Sequence, residues 1–450
     1  MRHSIFALPL ALALCLTAHA QAGKYSSIEI SKPAPLVEFT GSQLKRISGG
    51  VEIALHPQDA SAQVMRLGSQ EMLFEWPKEG GSNPTAIRMK SKVSVDSPQG
   101  TITANNADLD IQGNRLTFSG GVRGSSEKIE SFEAEKIVYN LESGDSDMTN
   151  LRARGIRLGE GSGTGYSRMQ IERAATVKFA NGQVNRMGGG VSIVLESSQE
   201  GVVPLKLSAS EVGLAWGNGN QPTGIELRGN VRVIGPQGDI SSEKADFSLA
   251  KERIDFTGNV KGASEQIQSF TSDTLSYNIK TGDTDMTNLL AKGLAFSTGD
   301  AAGPGQGYSK MDVDRAPEVS MVGGKLASIR GGVDIKLRGD SPEQESLWLR
   351  AHDFNFHYAS ADAPSPDRVV LEKDVKVKGP VADIVSESAD LNLPKNSITF
   401  SGNVSGNTPG MSQFEAQEVV YDTLTGNINF RRFRAEEYQT RAKDENERQQ

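Results

Sequence analysis

The chain repeats one long sequence pattern three times, and this repetition limits the possible folds more than any single motif does. The segments YSS, YSR and YSK begin at Tyr25, Tyr166 and Tyr308, and a GGV segment follows each of them. A longer block comes later in each copy: ADLDIQGNRLTFSGGV from Ala107, ADFSLAKERIDFTGNV from Ala245 and ADLNLPKNSITFSGNV from Ala389. Such recurrence indicates similar units built in tandem.

The repeats define the expected domain organisation. Glycine-rich stretches at 159–165 and 299–307 separate the copies. The predicted repeats are 23–157, 166–297 and 308–430. The final residues, 431–450, are rich in charge, and we expect them to form a frayed helix or a disordered tail.

The first residues, 1–22, have the pattern of a cleavable signal peptide. A basic residue, Arg2, precedes an apolar run, and the small residues Ala18 and Ala20 give a cleavage pattern. The apolar run is short for a transmembrane helix, although an uncleaved membrane anchor is the alternative interpretation. Cys15 lies inside the apolar run rather than after it, so lipidation is not expected. The sequence therefore predicts a secreted protein.

The composition argues against nucleic acid as a partner and against disulfide bonds as a source of stability. Asp and Glu outnumber Lys and Arg, 56 to 48, which argues against nucleic acid as the main partner. The single cysteine of the chain lies within the predicted signal peptide. The mature protein would then contain no disulfide bond, and burial of its own apolar surface must stabilise it.

Hydrophobic residues inside the repeated blocks alternate with polar ones. In the segment 116–120, LTFSG, the apolar Leu116 and Phe118 alternate with hydroxyl residues, and the other copies repeat this pattern. Period two is typical of strands that bury one face and expose the other. Long helical periodicity is missing, so the sequence predicts an all-β protein.

Two nearly identical acidic segments, 137–151 and 275–289, invite a choice between a hairpin and a calcium site. Glycine recurs at the same place in all three copies, as Gly144, Gly282 and Gly426, which favours a hairpin with glycine at its bend.

The calcium alternative rests on Asp145, Asp147 and Asn150. The segment lacks the glycine and the bidentate glutamate of an EF-hand loop, and the third copy has lost the acidic residues. We predict neither a metal site nor a cofactor.

Catalytic motifs give little support for an enzyme. His352 and His357 are five residues apart, so a regular strand would place them on opposite faces. The chain contains no nucleophile-elbow, zinc-protease or P-loop motif. Acidic pairs such as Asp108 and Asp110 could act in a polysaccharide-degrading β-solenoid, but they alternate with apolar residues and are more simply a solvated strand face. We therefore predict a protein that is not an enzyme.

The repeated block and the Tyr-Asn or Tyr-Asp hairpin after it resemble the OstA-like family. This family comprises the β-jellyroll module of the lipopolysaccharide-transport proteins LptA and LptC, which also occurs at the periplasmic end of LptD. The matching positions are Ala107, Ala245 and Ala389, the segments 120–122, 258–260 and 402–404, and Tyr139, Tyr277 and Tyr421. The resemblance covers the second half of each repeat. The chain departs from the family in carrying three modules in tandem, and in lacking the membrane helix of an LptC-like member.

The resemblance implies three groove-shaped β-jellyroll modules stacked end to end in the periplasm. Acyl chains would lie inside the groove and the sugar head would remain in water. The expected function is to bind lipopolysaccharide or a related glycolipid and to move it towards the outer membrane. Other OstA-like envelope proteins could join by edge-to-edge stacking. A scaffold of closed β modules and a polysaccharide-degrading enzyme remain the alternatives.

The candidate lipid-binding residues are the apolar positions of the repeated strands. They are Leu109, Ile111, Leu116, Phe118, Ile137 and Tyr139 in the first repeat, Phe247, Leu249, Ile254, Phe256, Leu275 and Tyr277 in the second, and Leu391, Leu393, Ile398, Phe400, Val419 and Tyr421 in the third.

Overall fold

Every secondary-structure element of the described residues is a β-strand, which confirms the all-β prediction. The computed structural model describes residues 25–32, 34–57, 64–78, 84–97, 100–126, 129–158, 165–180, 183–217, 222–295, 308–339, 345–363, 365–380 and 382–435. The predicted signal peptide and most of the two glycine-rich stretches lie outside these residues.

The chain forms two compact units. Unit 1 comprises the described residues up to 236 together with 243–253, and unit 2 comprises 237–242 together with those from 254 onward. The division falls within the second sequence repeat. The boundaries of the three repeats therefore stay a prediction from the sequence.

The strands of unit 1 form an antiparallel meander, in which β3 to β13 pair consecutively and both β1 and β2 pair with β3. They are β1 (Tyr25–Ile30), β2 (Leu36–Thr40), β3 (Gln43–Pro57), β4 (Met65–Glu75), β5 (Ala86–Ser97), β6 (Gly100–Asp110), β7 (Arg115–Ser126), β8 (Ser131–Asn140), β9 (Ser146–Arg157), β10 (Tyr166–Ala180), β11 (Gln183–Ser197), β12 (Leu205–Trp216) and β13 (Pro222–Gly235).

Unit 2 has the same organisation, in which β16 to β24 pair in sequence and the short β25 and β26 both pair with β24. Strand β14 (Gly238–Ser248) contributes residues to both units. The following strands are β15 (Arg253–Ala263), β16 (Ile267–Asn278), β17 (Thr284–Ala295), β18 (Tyr308–Val322), β19 (Lys325–Gly339), β20 (Leu347–His357), β21 (Arg368–Lys378), β22 (Asp383–Asn392), β23 (Ser397–Thr408), β24 (Met411–Asp422), β25 (Ile428–Arg431) and β26 (Arg434–Ala435). The expectation of a helical or disordered tail from residue 431 is wrong for β26, and residues 436–450 lie outside the described part.

The long strands are interrupted near their middle by β-bulges. In β7, Gly120 and Gly121 have φ of 82° and 69°, and the pairing with β8 shifts between Ser119 and Val122. Two residues of β7 therefore lie opposite one residue of β8, which bends the strand. Residues with positive φ recur at this level in every second strand, at Gly49–Gly50, Ser91–Lys92, Gly120–Gly121, Asn150, Gly189–Gly190, Gly229–Asn230, Gly258–Asn259, Asn288, Gly331–Gly332, Lys373–Asp374 and Gly402–Asn403.

A side-chain hydrogen bond accompanies the bend in each repeat. Asparagine tolerates positive φ better than most residues, and its amide can reach the neighbouring strand. The three bonds run from Asn150 Nδ2 to Glu135 Oε2 (2.5 Å), from Asn288 Nδ2 to Asp273 Oδ2 (2.7 Å) and from Asn403 Nδ2 to Glu387 Oε1 (2.5 Å). These bonds fix the position of the bend between adjacent strands.

The two halves of the strands face each other across an apolar interior in unit 2. A cavity of about 30 Å³ is lined from one side by Tyr308, Leu337 and Leu347, and from the other side by Leu391 and Ile398. The register of β18 to β23 places these two groups on opposite sides of the bend. A meander with one apolar face therefore covers that face with its own other half.

The hairpin after β8 has the glycine bend that the sequence predicts. Gly144 has φ of 77°, and its N–H donates to the carbonyl of Asn140 at 3.0 Å. The Asn140 side-chain oxygen accepts from the N–H groups of Glu142 (2.9 Å) and Ser143 (3.0 Å). The same bonds recur in the other repeats, with Asn278 and Asp422 as the side-chain acceptors.

Replacing Gly144 by valine should destabilise unit 1 by about 1–3 kcal/mol, because a β-branched residue is strained at positive φ. Urea denaturation followed by circular dichroism measures the effect. The matched control is Glu142→Val in the same turn, which should change stability by no more than about 0.5 kcal/mol. Equal losses in both variants would show that the positive φ is not the cause.

The carboxylate cap should make the third hairpin sensitive to acid, whereas the corresponding caps of the first two hairpins are the neutral amides of Asn140 and Asn278. The backbone N–H of Thr425 foremost, and that of Leu424, hold the pKa of Asp422 below its usual range. A lowered folded-state pKa stabilises above the unfolded value of about 3.9, and this contribution is lost as the pH falls through the folded value. We expect Asp422→Asn to reduce the loss of thermal stability between about pH 6 and about pH 3, and Asn140→Asp to increase it. The opposite sign in either variant would contradict the role of the cap.

Candidate lipid-binding interior

The structure brings the candidate residues of the first repeat together on neighbouring strands. Leu109 of β6 lies directly opposite Leu116 of β7. Leu116 lies opposite Tyr139 of β8, and Phe118 lies opposite Ile137. Directly opposite residues share one face of a sheet, so these five side chains form one apolar patch.

The third repeat builds the same patch with equivalent residues. Leu391 of β22 lies opposite Ile398 of β23, which in turn lies opposite Tyr421 of β24. Phe400 lies opposite Val419. Equal spacing in the two sequences therefore gives equal register in the structure.

The candidates of the second repeat are divided between the two units. Phe247 and Leu249 belong to unit 1, whereas Ile254, Phe256, Leu275 and Tyr277 belong to unit 2. Within unit 2, the strand β16 pairs with β17 so that Leu275 faces Met286.

Burial follows the predicted alternation. All the candidate residues are buried except Ile111 and Leu393, which are half-buried. Phe118, Phe256 and Phe400 are each 0% exposed. The polar residues that precede them, Thr117, Asp255 and Thr399, are half-buried. The inward orientation of the apolar residues is thus confirmed, while contact with lipid stays a prediction.

The interior is closed to solvent at the three phenylalanines, because a fully buried side chain leaves no room for a water molecule beside it. The cavity between the two halves of unit 2, about 30 Å³, is of the size that holds one water rather than an acyl chain. At these positions the described interior is therefore packed against itself.

The buried phenols of this interior stay neutral. Burial first, and then the nearby Tyr308 and Asp422, raise the pKa of Tyr421 to about 12. Burial likewise raises the pKa of Tyr277. The tyrosines therefore add no negative charge to the apolar faces at neutral pH.

A buried carboxylate, Asp312 of β18, is balanced by its partners. Burial alone would raise its pKa, but the N–H of Gly293 (2.9 Å) and the guanidinium of Arg338 (Nε at 2.7 Å) hold the pKa below its usual range. Asp312 is thus a buried carboxylate that is held by hydrogen bonds and by an ion pair with a partly exposed arginine.

The other sequence-derived sites have structural explanations. The prediction that His352 and His357 lie on opposite faces is wrong, because both histidines are exposed and the pairing of β20 with β21 shifts between Arg350 and Asp353. The Asp110 carboxylate accepts from the N–H of Gly113 at 2.8 Å and so caps a turn. Within the described residues, no group of three or more His, Cys, Asp or Glu side chains is placed to hold a metal ion.

The sequence interpretation missed the structural role of the bend asparagines, and it considered Asn150 only for the calcium alternative. The GNV and GGV segments, of which Asn259 and Asn403 are part, served there only to align the repeats. Asparagine or glycine inside an alternating strand pattern is itself a signal of a bulge, and this signal could have located the bends.

Comparisons with known proteins do not assign the chain to a family. No family model matches it, and no curated protein matches it. Among the residues that the structure describes, none forms a helix long and apolar enough to cross a membrane.

Truncating Phe400 tests whether the interior is a packed core. We expect Phe400→Ala to lower the free energy of unfolding by about 3–5 kcal/mol, because it leaves a cavity among fully buried neighbours. The control Thr399→Ala, at the adjacent half-buried position, should cost no more than about 0.5 kcal/mol. Urea denaturation measures both. A nearly neutral Phe400→Ala variant would indicate an interior that is already loose at this position.

Proposed function

We propose that this chain binds lipopolysaccharide or a related glycolipid in the periplasm and passes it towards the outer membrane, as three tandem OstA-like jellyroll modules. The acyl chains would lie between the apolar inner faces of the bent strands. One observation carries the proposal: equivalent motif residues, such as Leu116 with Tyr139 and Ile398 with Tyr421, build the same apolar inner face in repeats far apart in the chain.

The energetics of acyl-chain transfer favour such an interior. Removing one fourteen-carbon chain from water is worth roughly 10 kcal/mol, at about 0.8 kcal/mol per methylene group. A carrier must replace most of this with apolar contact. The inner faces offer leucine, isoleucine and phenylalanine side chains together with phenols that remain neutral. No cofactor or proton relay is needed for transfer of this kind.

Loading requires the two halves of the strands to part, since the phenylalanines are closed to water. The ladder hydrogen bonds of the described strands run between neighbours in the chain. They can therefore persist while the two facing halves separate. Apolar contacts hold these halves together, and an acyl chain can replace such contacts without any specific geometry. The bulges in the middle of the strands are the natural hinges.

An exposed apolar strand at the beginning of unit 1 supports joining to another β module. In β2, the side chains of Leu36, Val37 and Phe39 are 48%, 36% and 62% exposed. This strand pairs with β3 on one side. An exposed apolar edge favours the addition of a further strand. Another OstA-like envelope protein is the partner that we propose.

A scaffold of closed β modules is the second candidate function. The complete burial of Phe118, Phe256 and Phe400 favours it, because a filled core leaves the outer faces and edges as the binding surfaces. The two functions differ in whether lipid ever reaches the phenylalanines.

Site-specific photo-crosslinking separates the two functions. A photoreactive residue at Phe118, Phe256 or Phe400 should capture purified lipopolysaccharide. The same probe at the three preceding polar positions, Thr117, Asp255 and Thr399, should not capture it, because adjacent strand residues face opposite ways.

The readout is a mobility shift detected by antibody, in variants that keep the β-sheet circular dichroism of the parent. Equal labelling at both sets of positions would indicate nonspecific adhesion to the surface. Labelling at neither set would favour the scaffold over the carrier.

A further inference from the structure

The outer face of β9 and β10 carries a concentration of positive charge. Arg152, Arg154, Arg157, Arg168 and Arg173 are all exposed, and the residues between them on the inner face are buried. We call these five residues the arginine face. The chain as a whole has a formal net charge of −8, so this face reverses the prevailing sign.

The arginines of this face have no ion-pair partner among the described residues. Arg157 lies directly opposite Arg168 in the β9–β10 register. Like charges in directly opposite positions destabilise a sheet. In the described part of the chain, none of the five arginines forms an ion pair, whereas the flanking Arg123 pairs with Glu133 and Arg186 pairs with Glu211.

Nearby carboxylates are engaged elsewhere. The Glu133 carboxylate lies 3.2 Å from Arg123 Nε. Glu135 accepts from Asn150, and Glu172 accepts from the hydroxyl of Ser192 at 2.7 Å. Two further carboxylates are near: Glu130 is exposed beside Gly155, and the half-buried Glu196 of β11 lies directly opposite Arg168. With Arg123 included, six guanidinium groups lie near these five carboxylates, and the five arginines of the face form no ion pair with them.

An open cleft continues the face towards the bend. Its volume is about 430 Å³, and Arg152 and Arg173 line it together with the Arg123–Glu133 pair and the small residues Ala134 and Ala174. The cleft forms because the side chains at the bulge are small, and the arginines lie at its border. Guanidinium groups bind phosphate oxygens through two parallel hydrogen bonds, so this border suits phosphate groups.

The second repeat provides an internal comparison. It has a cleft of about 560 Å³ at the equivalent place, but Leu290 stands there in the position of Arg152. Lys292, in the position of Arg154, lies 3.0 Å from Asp314 and 3.7 Å from Asp312. Ala295 stands in the position of Arg157. The fold therefore forms without arginine at these three positions of the second repeat.

We propose that the arginine face is a docking surface for a membrane that carries anionic phospholipid headgroups. Its charges lie on the outer face of one sheet, about 7 Å apart along a strand and about 5 Å apart between strands, as an array rather than an enclosed pocket. Protein partners usually require aromatic or apolar anchors at the centre of the contact. The arginine face offers positive charge without apolar anchors, and positive charge alone is enough to bind an anionic lipid surface.

Vesicle co-sedimentation tests this proposal with the full chain. Phosphatidylcholine vesicles with phosphatidylglycerol are compared with phosphatidylcholine vesicles alone, and the measured quantity is the ratio of the two affinities. We expect a clear preference for the anionic vesicles that weakens as salt is added. The triple variant R152Q/R154Q/R157Q should reduce this preference at least about 10-fold.

The matched control is the triple variant K261Q/K310Q/R315Q, which removes the same charge from exposed positions of β15 and β18. It should keep the preference of the parent within about twofold, because general electrostatic attraction changes equally in both variants. Both variants replace exposed side chains, and an unchanged circular dichroism spectrum confirms folding.

Three results would overturn the proposal. The first is no preference for anionic vesicles in the parent. The second is an equal loss in the control variant. The third is displacement from the vesicles by millimolar inorganic phosphate or by polyglutamate, since this would indicate a site for soluble anions or for acidic protein. The docking surface lies on the outer face, so its test is independent of the photo-crosslinking of the interior.

Discussion

The fold of each unit depends on the bend in the middle of its strands. An antiparallel meander of amphipathic strands buries only one face, and some other layer must cover that face. Here the described strands supply that layer themselves, because bulges such as Gly120–Gly121 turn each strand partway along its length. The asparagine of the bend, Asn150 in the first repeat, holds the kink to the next strand through Glu135. A regular strand of the same composition would leave half of its apolar surface in water.

This constraint also explains where polar chemistry occurs. The inner faces are apolar on both sides of the bend, so acids and bases collect on the outside and at the bulges. Asp353 shows the effect: burial alone would raise its pKa, but Lys373 and His352 beside it hold the pKa below its usual range. The uncharged interior supports the proposal of a lipid carrier, and the unpaired arginines outside support that of a membrane-docking surface. The two proposals therefore rest on opposite faces of the same strands.

Sequence reasoning predicted what local alternation controls. The inward orientation of Leu116 and Phe118 followed from period two, and the glycine bend at Gly144 followed from its recurrence in three copies. The bends themselves were not predicted, because a bulge shifts the phase of the alternation and has no periodic pattern of its own. Asparagine and glycine within the strands were the local signal for them. The two histidines of β20 were misplaced because of such a phase shift. The division between the units, inside β14, depends on the packing of many residues and leaves no local signal in the sequence.

The order of strand pairing has a consequence for how the chain folds. The long strands of the meanders pair with their neighbours in sequence, so the contact order is low. A strand therefore does not depend on a distant segment of the chain for its pairing. The sheet can grow strand by strand as the chain is synthesised, with each hairpin as the next increment. Every intermediate then presents one unpaired edge, which is open to aggregation. The short β25 and β26, which pair side by side with the last long strand, close that growing edge at its end.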